Sequence, residues 1–397
     1  MTGFAPIILF GICLALVLNF ANGMNDASHA IATVIATKAL SPGKAVVLTA
    51  ICNMIGPFIF TTAVAATIGT AIVHPNALTP LSIIIAMGTA ICLVFVATRA
   101  GIPVSSSHAL VGGLVGAGIG AYGAAAVILP GWEMVIPVAL YAVIGGIIGA
   151  ILIGIVTAAL DGDAKAGVLV GACCGAAITI PALMIAGVIE VSGLFAICIF
   201  IIIAPVLGMA TAFLFDVLVS HLFRHSRQNR MKRIFQPLQV LACLVQAVGH
   251  GANDGQHAVG VITALLVSAG ILSTFAVPVW VIAASALAIG IGTCFGGWQV
   301  VDKMARKITK IRPYQGFCAA TAGSATLSMV TAYGIPVSST QVISGAIVGV
   351  GATRGEKAVQ WHVVREMLMA WVITIPLAFV ISWCGYMLVS AAIPVFL

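Results

Sequence analysis

Apolar runs of about 20 residues, the length of helix that spans a bilayer, follow one another from one end of the chain to the other, separated by short polar stretches. They fall at 4–39, 44–73, 81–98, 106–129, 134–160, 166–189, 191–219, 238–272, 276–300, 314–332, 338–352 and 365–395. This predicts an all-α polytopic membrane protein with about twelve transmembrane segments. The first and eighth runs are about 35 residues long, nearly twice what one crossing needs at ~1.5 Å per residue. Each carries a polar cluster in its middle, so both are expected to be broken helices.

Composition closes off the soluble alternative. Of 397 residues, 61% are hydrophobic and 7% charged, and the mean hydropathy is +1.20. A soluble domain carries charge on roughly a quarter of its residues. No stretch is left for a separate soluble domain. The net charge of +7 does not indicate a nucleic-acid partner, because the basic residues sit in short loops between apolar runs, where they determine topology. The start, MTGFAPIILF, lacks the Lys or Arg that opens a secretory signal, so the first run is expected to be retained as a span. The ten cysteines are scattered and show neither CxxC nor Cys/His ligand spacing, so no disulfide framework or zinc site is expected.

Charge placement gives the orientation. With the N-terminus outside, Lys38, Lys44, Arg99, Lys165, the run from Arg224 to Arg233, the run from Lys303 to Arg312, Arg354, Lys357 and Arg365 all fall on the cytoplasmic side. All 17 basic residues are then inside, as the positive-inside rule requires. One miscounted span would scatter them over both faces.

The chain also repeats itself. Gly23-Met24-Asn25-Asp26 returns as Gly251-Ala252-Asn253-Asp254, and Gly101-Ile102-Pro103-Val104-Ser105-Ser106-Ser107 returns as Gly334-Ile335-Pro336-Val337-Ser338-Ser339-Thr340. The offsets, 228 and 233, are nearly equal, which means a duplication. Each copy has five spans and two more lie between them, so the second copy enters the membrane from the opposite side. The expected organisation is inverted repeat 1 at 1–160, two linking spans and a basic cytoplasmic loop at 161–237, and inverted repeat 2 at 238–397. Sites in such proteins form near the midplane, where interrupted helices of the two halves meet.

Among the ten acidic residues, Asp161, Asp163, Asp302 and Glu356 fall in cytoplasmic loops and Glu133 and Glu190 in outer ones. Asp216 and Glu366 lie near span ends, where a helix-end charge reaching interfacial water explains them. Asp26 and Asp254 are deep. A carboxylate at that depth is expensive and binds a cation, is protonated or lines water; the bland reading is a buried helix-to-helix hydrogen bond. In the serine motifs, a proline followed by Ser105, Ser106 and Ser107, or by Ser338, Ser339 and Thr340, reads as a loop ending in a helix N-cap. Hydroxyls and free N–H groups there face an anion with the helix dipole behind them.

No Lys or Arg accompanies these residues, so a bound anion needs neutral donors and a co-bound cation, a combination that predicts symport. Phosphate, which can donate a hydrogen bond to a carboxylate, suits two aspartates better than acceptor-only sulfate. His29, Gln256 and His257 follow the aspartates within one helical turn and are secondary candidates; the two histidines could titrate near neutrality. His108 has Gln341 as its counterpart and His250 has Asn22. The glycine steps Gly112–Gly116–Gly120 and Gly345–Gly349 have the spacing of close helix packing.

The paired Asn-Asp motifs at Asn25-Asp26 and Asn253-Asp254, each followed by Gly-Ile-Pro-Val-Ser-Ser, resemble the signature of the inorganic phosphate transporter (PiT) family over essentially the whole chain. The resemblance implies cation-coupled phosphate uptake, by sodium or protons, at a shared site in a multi-pass plasma membrane protein, the inner membrane in a bacterium, and it suggests a homodimer. Mapped onto this sequence, it makes Asn25, Ser105–Ser107, Asn253 and Ser338–Thr340 substrate-binding and Asp26 and Asp254 the coupling-cation ligands. His29 departs from an asparagine common in the family, and an imidazole suits protons better than sodium. Beyond a coupling ion such as sodium, no cofactor or further metal is expected, and no enzyme activity. The alternatives are a sulfate permease of the same family, an intramembrane hydrolase using Ser107, His108 and Asp26, and a passive channel. The hydrolase is disfavoured because Gln341 stands where the second copy would need the base.

Overall fold

A computed structural model of the chain describes residues 5–159, 164–303 and 307–392, apart from the side chains of residues 5, 27–30, 156, 157, 159, 164–167 and 356. The side chain of His29 lies outside the described residues, as do Asp161, Asp163, Arg306 and the side chains of Lys165 and Glu356.

With no water to bond backbone amides in lipid, apolar segments fold as helices, whose hydrogen bonds are internal. In chain order these are α1 (Ala5–Ala36), α2 (Pro42–Ile59), α3 (Ala63–Ala66), α4 (Pro80–Arg99), α5 (Ser106–Tyr122), α6 (Trp132–Ala159), α7 (Ala164–Ile185), α8 (Gly193–Leu222), α9 (Gln228–Asp254), α10 (Gln256–Ser268), α11 (Val279–Phe295), α12 (Trp298–Asp302), α13 (Pro313–Ala332), α14 (Ser339–Ala352) and α15 (Trp361–Ala392). A π-turn, Thr67–Ala71, continues α3. The described residues contain no strand, only the isolated bridge between Val73 and Val127.

Among the described residues, seven helices are long and apolar enough to cross a bilayer: α1, α2, α4, α6, α7, α8 and α15. The other five predicted segments, at 106–129, 238–272, 276–300, 314–332 and 338–352, form shorter or more polar helices, and all but 276–300 lie in or beside the repeated motifs. The surface is inverted relative to a soluble protein. Leu9, Phe10, Leu140, Ile147, Ile155 and Val372 are exposed, whereas Asn19, Asn22, Asn25, Asn53, Gln246 and Ser285 are buried. The chain is a multi-pass membrane protein whose polar groups face inward.

The expected break in the first span does not occur. α1 runs as one helix through Asn25 and Asp26 to Ala36. Its polar side chains are bonded to other elements, so the backbone has no need to unwind there. The eighth span is interrupted, at Gly255 between α9 and α10. The Gly255 carbonyl instead accepts from Asn19 Nδ2 at 3.0 Å and Ser285 Oγ at 2.7 Å, and Gln256 Nε2 donates to the Thr61 carbonyl at 2.8 Å. Two unpredicted breaks fall in the second and ninth segments, at residues 60–62 between α2 and α3 and at Gly296-Gly297 between α11 and α12.

Asn19→Ala should destabilise the protein by about 1–3 kcal/mol, because it removes one of two side chains satisfying a buried carbonyl. A thermal midpoint equal to that of the parent in the same detergent would contradict this.

The helices pack through glycine. At the α2–α9 crossing, a Cβ on Gly251 would sit 2.0 Å from the Asn53 carbonyl oxygen and one on Gly56 would sit 2.3 Å from that of Val248. The predicted glycine steps do the same elsewhere. Gly112 and Gly116 lie against the carbonyls of Ile375 and Phe379 in α15, and Gly345 and Gly349 against those of Pro205 and Met209 in α8. Helix axes held this close leave room only for short side chains between them, which brings the polar groups of α1 and α9 into contact.

Candidate functional site

α1 and α9 supply matching faces. Asn22 and Asp26 are four residues apart on α1, as are His250 and Asp254 on α9, so each pair shares one helical face. The loops between α4 and α5 and between α13 and α14 then meet these faces from either side. Each loop turns at a glycine in the left-handed region, Gly101 (φ +66°) and Gly334 (φ +68°), a conformation costly for any other residue. Each ends in a capping serine: Ser105 Oγ accepts from the His108 amide at 3.2 Å and Ser338 Oγ from the Gln341 amide at 3.4 Å. The serine motifs are helix starts, as their spacing predicts.

The two copies are held by the same bonds. Asn25 Nδ2 donates to the Val104 carbonyl at 3.2 Å and to Asp26 Oδ1 at 2.6 Å, while its oxygen accepts from Thr98 at 2.9 Å. Asn253, in the amide orientation its neighbours require, donates to the Val337 carbonyl at 3.2 Å and to Asp254 Oδ1 at 3.0 Å and accepts from Thr331 at 2.9 Å. Ser106 donates to Asn22 Oδ1 at 2.7 Å, and its counterpart Ser339 to Asp254 Oδ2 at 2.9 Å. The motifs also meet across the copies: Thr340 of the second serine motif donates to Asp26 Oδ1 of the first aspartate motif at 3.2 Å.

His250 is the centre of the cluster. Its Nε2 lies 3.2 Å from Asp254 Oδ2 and 3.7 Å from Asp26 Oδ2, and its Nδ1 lies 3.1 Å from Asn53 Oδ1. Thr293 Oγ1 gives its proton to the Ile289 carbonyl, so it must accept from Asn53 Nδ2, at 2.8 Å. That orients Asn53 with its oxygen toward the imidazole, which makes Nδ1 the protonated donor. Nε2 therefore faces two carboxylates either as the second N–H of an imidazolium or as a lone pair open to a cation. One oxygen of each aspartate and a ring nitrogen of His250 lie within 4.8 Å of one another, close enough to share a single cation. Asp26, Asp254 and His250 are at most 3% exposed.

The remaining predicted residues divide. Ser107 Oγ pairs with Ser105 Oγ at 3.0 Å. Gln256 does not offer its amide to the cluster; it serves the backbone of Thr61, Ala65 and Ala252. His257 and His108 are buried within electrostatic reach of each other and of Asp254. His257 Nε2, His108 Nδ1 and both amide atoms of Gln341 have no hydrogen-bond partner among the described residues. The reading of Asp216 as a helix-end charge in interfacial water is corrected. It is 1% exposed and accepts from Thr353 at 2.6 Å and Gln315 at 3.4 Å, because α14 and the start of α13 close over it. Glu366 is exposed and pairs with Lys303 at 2.9 Å. That ion pair stands in a cavity of about 670 Å³ that also reaches Arg99 and Gly101, at the foot of the first serine loop.

His250, Asn22 and Asn53 join the cluster in addition to the motif residues that depth and repetition single out. The spacing of four before each aspartate was available for the first two. Asn53 carried no signal, because its place depends on the α2–α9 crossing.

A helical membrane protein that gathers two carboxylates, hydroxyls and amides in its interior, with no Lys or Arg among its described buried residues, is built to handle a solute within the bilayer. The phosphate transporter family profile matches residues 22–168 and 164–382. The chain belongs to that family. It is 36% identical over 382 residues to a probable low-affinity inorganic phosphate transporter of Rhizobium meliloti (strain 1021), covering 96% of each chain. It is 32% identical over 386 residues to one of Bacillus subtilis (strain 168), covering 96% of this chain and 97% of the relative. Its fold matches that of a solved structure titled "The sodium-dependent phosphate transporter" with a TM-score of 0.69 at 22% identity, over 97% of this chain and 99% of the other.

Proposed function

We propose that this protein takes up inorganic phosphate by cation symport, with Asp26 and Asp254 binding the coupling sodium or proton. Asn25, Asn253 and the hydroxyls of Ser105–Ser107 and Ser338–Thr340 hold the phosphate. The observation that carries this reading is the convergence of both Asn-Asp motifs and both serine motifs on one buried cluster. Two carboxylates within 4.8 Å of each other repel by at least about 3.5 kcal/mol at an effective dielectric of ~20. A cation between them relieves that repulsion and admits an anion that the bare cluster would reject. Cation and phosphate then enter together, which is coupling. The names of the relatives, inorganic phosphate transporters, support phosphate as the anion.

The reading extends to twelve membrane segments in two inverted five-span repeats, N-terminus outside, in the plasma membrane, with a homodimer as the assembly. Alternating access belongs to the same reading, and the unlike surroundings of the two serine loops support it. Gly101 borders the cavity lined by Arg99, Lys303 and Lys307, while Gly334 lies against α3 and its π-turn, its carbonyl accepting from Thr67 at 2.6 Å. Hydrolysis is disfavoured further: the Ser107 hydroxyl pairs with Ser105 and not with an imidazole.

Purified protein in liposomes should accumulate labelled phosphate under an imposed sodium or proton gradient, against its own gradient. Uptake of sulfate alone, or no uptake under either gradient, would sink the proposal, and downhill flux alone would make the protein a channel.

A further inference from the structure

A cavity of about 700 Å³ lies between the end of α1, the turn joining α8 to α9 and the start of α13. Its charged lining is entirely basic: Lys38, Arg224, Lys232 and Arg312, with no carboxylate. All four are exposed and so reachable by a ligand. Asp216, a buried carboxylate of α8, is bonded to Thr353 and Gln315 instead. The first turns of α9 and α13, helices of 27 and 20 residues, also line the cavity. Amides of a helix's first turn lack intrahelical acceptors and carry the positive end of the dipole. Like charges are thus concentrated in a concave space with no counter-charge among its described lining residues.

Lys38 supplies an independent sign that this is a built site. It is the only non-glycine residue with positive φ (+57°) among the described residues. It occupies the left-handed position that ends α1, with the Ala39 amide bonded to the Val34 carbonyl at 2.8 Å. Glycine is the residue suited to that position, and any side chain there is strained. Keeping a lysine where glycine would be more stable places a cation at the cavity at the expense of local stability, as strained residues at ligand sites do. The place is distinct from the buried cluster: Lys38 lies twelve residues beyond Asp26, or ~18 Å of helix at ~1.5 Å per residue.

From these observations we infer that the cavity binds a multiply charged phosphate-bearing anion, either a soluble polyphosphate or the headgroup of an anionic phospholipid, held by Lys38, Arg224, Lys232 and Arg312. Phosphate oxygens suit both the guanidinium forks and the first-turn amides of α9, whose N-cap makes no side-chain bond. A basic pocket between membrane helices is also where anionic headgroups lodge. Its occupant would tie the end of α1, which carries Asp26, to the start of α9, which carries Asp254, and to α13, which leads into the second serine motif.

The test uses full-length protein in detergent, stripped of phospholipid and titrated by calorimetry with tripolyphosphate, short-chain phosphatidylglycerol or short-chain phosphatidylcholine. Saturable binding of tripolyphosphate or phosphatidylglycerol is expected, at least tenfold weaker in Lys38→Gln/Arg312→Gln. Binding of the first alone identifies a soluble ligand, and of the second alone a lipid headgroup. Lys38→Gly guards against a folding defect: it relieves the backbone strain, so its thermal midpoint should match or exceed the parent's while binding weakens several-fold. Lys38→Arg should retain binding. Saturation by neither anion, affinity unchanged in Lys38→Gln/Arg312→Gln and Lys38→Gly, or equal binding of phosphatidylcholine would overturn the inference.

Discussion

Gradient-driven phosphate uptake by Asp254→Asn is expected to fall about 100-fold, with Asp26→Asn similarly impaired and Glu366→Gln within about twofold of the parent. A cation ~5 Å from a carboxylate gains about 3 kcal/mol at an effective dielectric of ~20, worth roughly a hundredfold in occupancy. Asparagine keeps the shape and one carbonyl oxygen, so Ser339 can still donate to residue 254 and Thr340 to residue 26. The charge is removed, and at residue 254, whose two oxygens accept from Asn253 and Ser339, one of those bonds is lost with it. Glu366 is a fair comparison because it too is half of an ion pair, with Lys303, but in an exposed position where pairing is worth little. The measurement is the initial rate in proteoliposomes, normalised to folded protein in the membrane. Equal rates for all three variants would mean that burial of Asp26 and Asp254 has no part in coupling.

Gly251→Ala is expected to leave little folded protein. The added methyl group would lie 2.0 Å from the Asn53 carbonyl oxygen, and the obstacle is backbone in the middle of α2, which cannot swing aside as a side chain could. Overpacking of this kind costs about 1–3 kcal/mol and occasionally more. Relief requires α9 to move away from α2, which also draws His250 Nδ1 away from Asn53, 3.1 Å distant. Any protein that does fold should therefore show a depressed thermal midpoint and impaired uptake together. Gly43→Ala is the matching comparison, since a Cβ there meets nothing within 4 Å and Gly43 lies in the first turn of α2. A Gly251→Ala protein as stable as Gly43→Ala would show that the α2–α9 contact is not tight.

Much of this was legible before any fold was considered, and for physical reasons. Lipid favours long apolar helices, so hydropathy marks apolar segments, seven of which form described helices able to cross a bilayer, and the energetic cost of deep charge singles out Asp26 and Asp254. The serine motifs were readable because capping is local: Ser105 to His108 and Ser338 to Gln341 each span three residues. Polarity in mid-span predicts a broken first helix, yet α1 is continuous. In α1, Asn25 is satisfied through its side chain by Thr98 and Val104, which sequence spacing cannot reveal.

The membrane class, the duplicated motifs and the family are legible along the chain. Tertiary structure decided which of those residues meet: that Thr340 reaches Asp26 across 314 positions, that His250 stands between the two aspartates, and that Asp216 is buried. The difference follows from range. Hydropathy, capping and periodicity are properties of neighbours along the chain, whereas these contacts depend on how closely helices cross, and that is governed by backbone-to-backbone approach at Gly56 and Gly251 between elements nearly 200 residues apart.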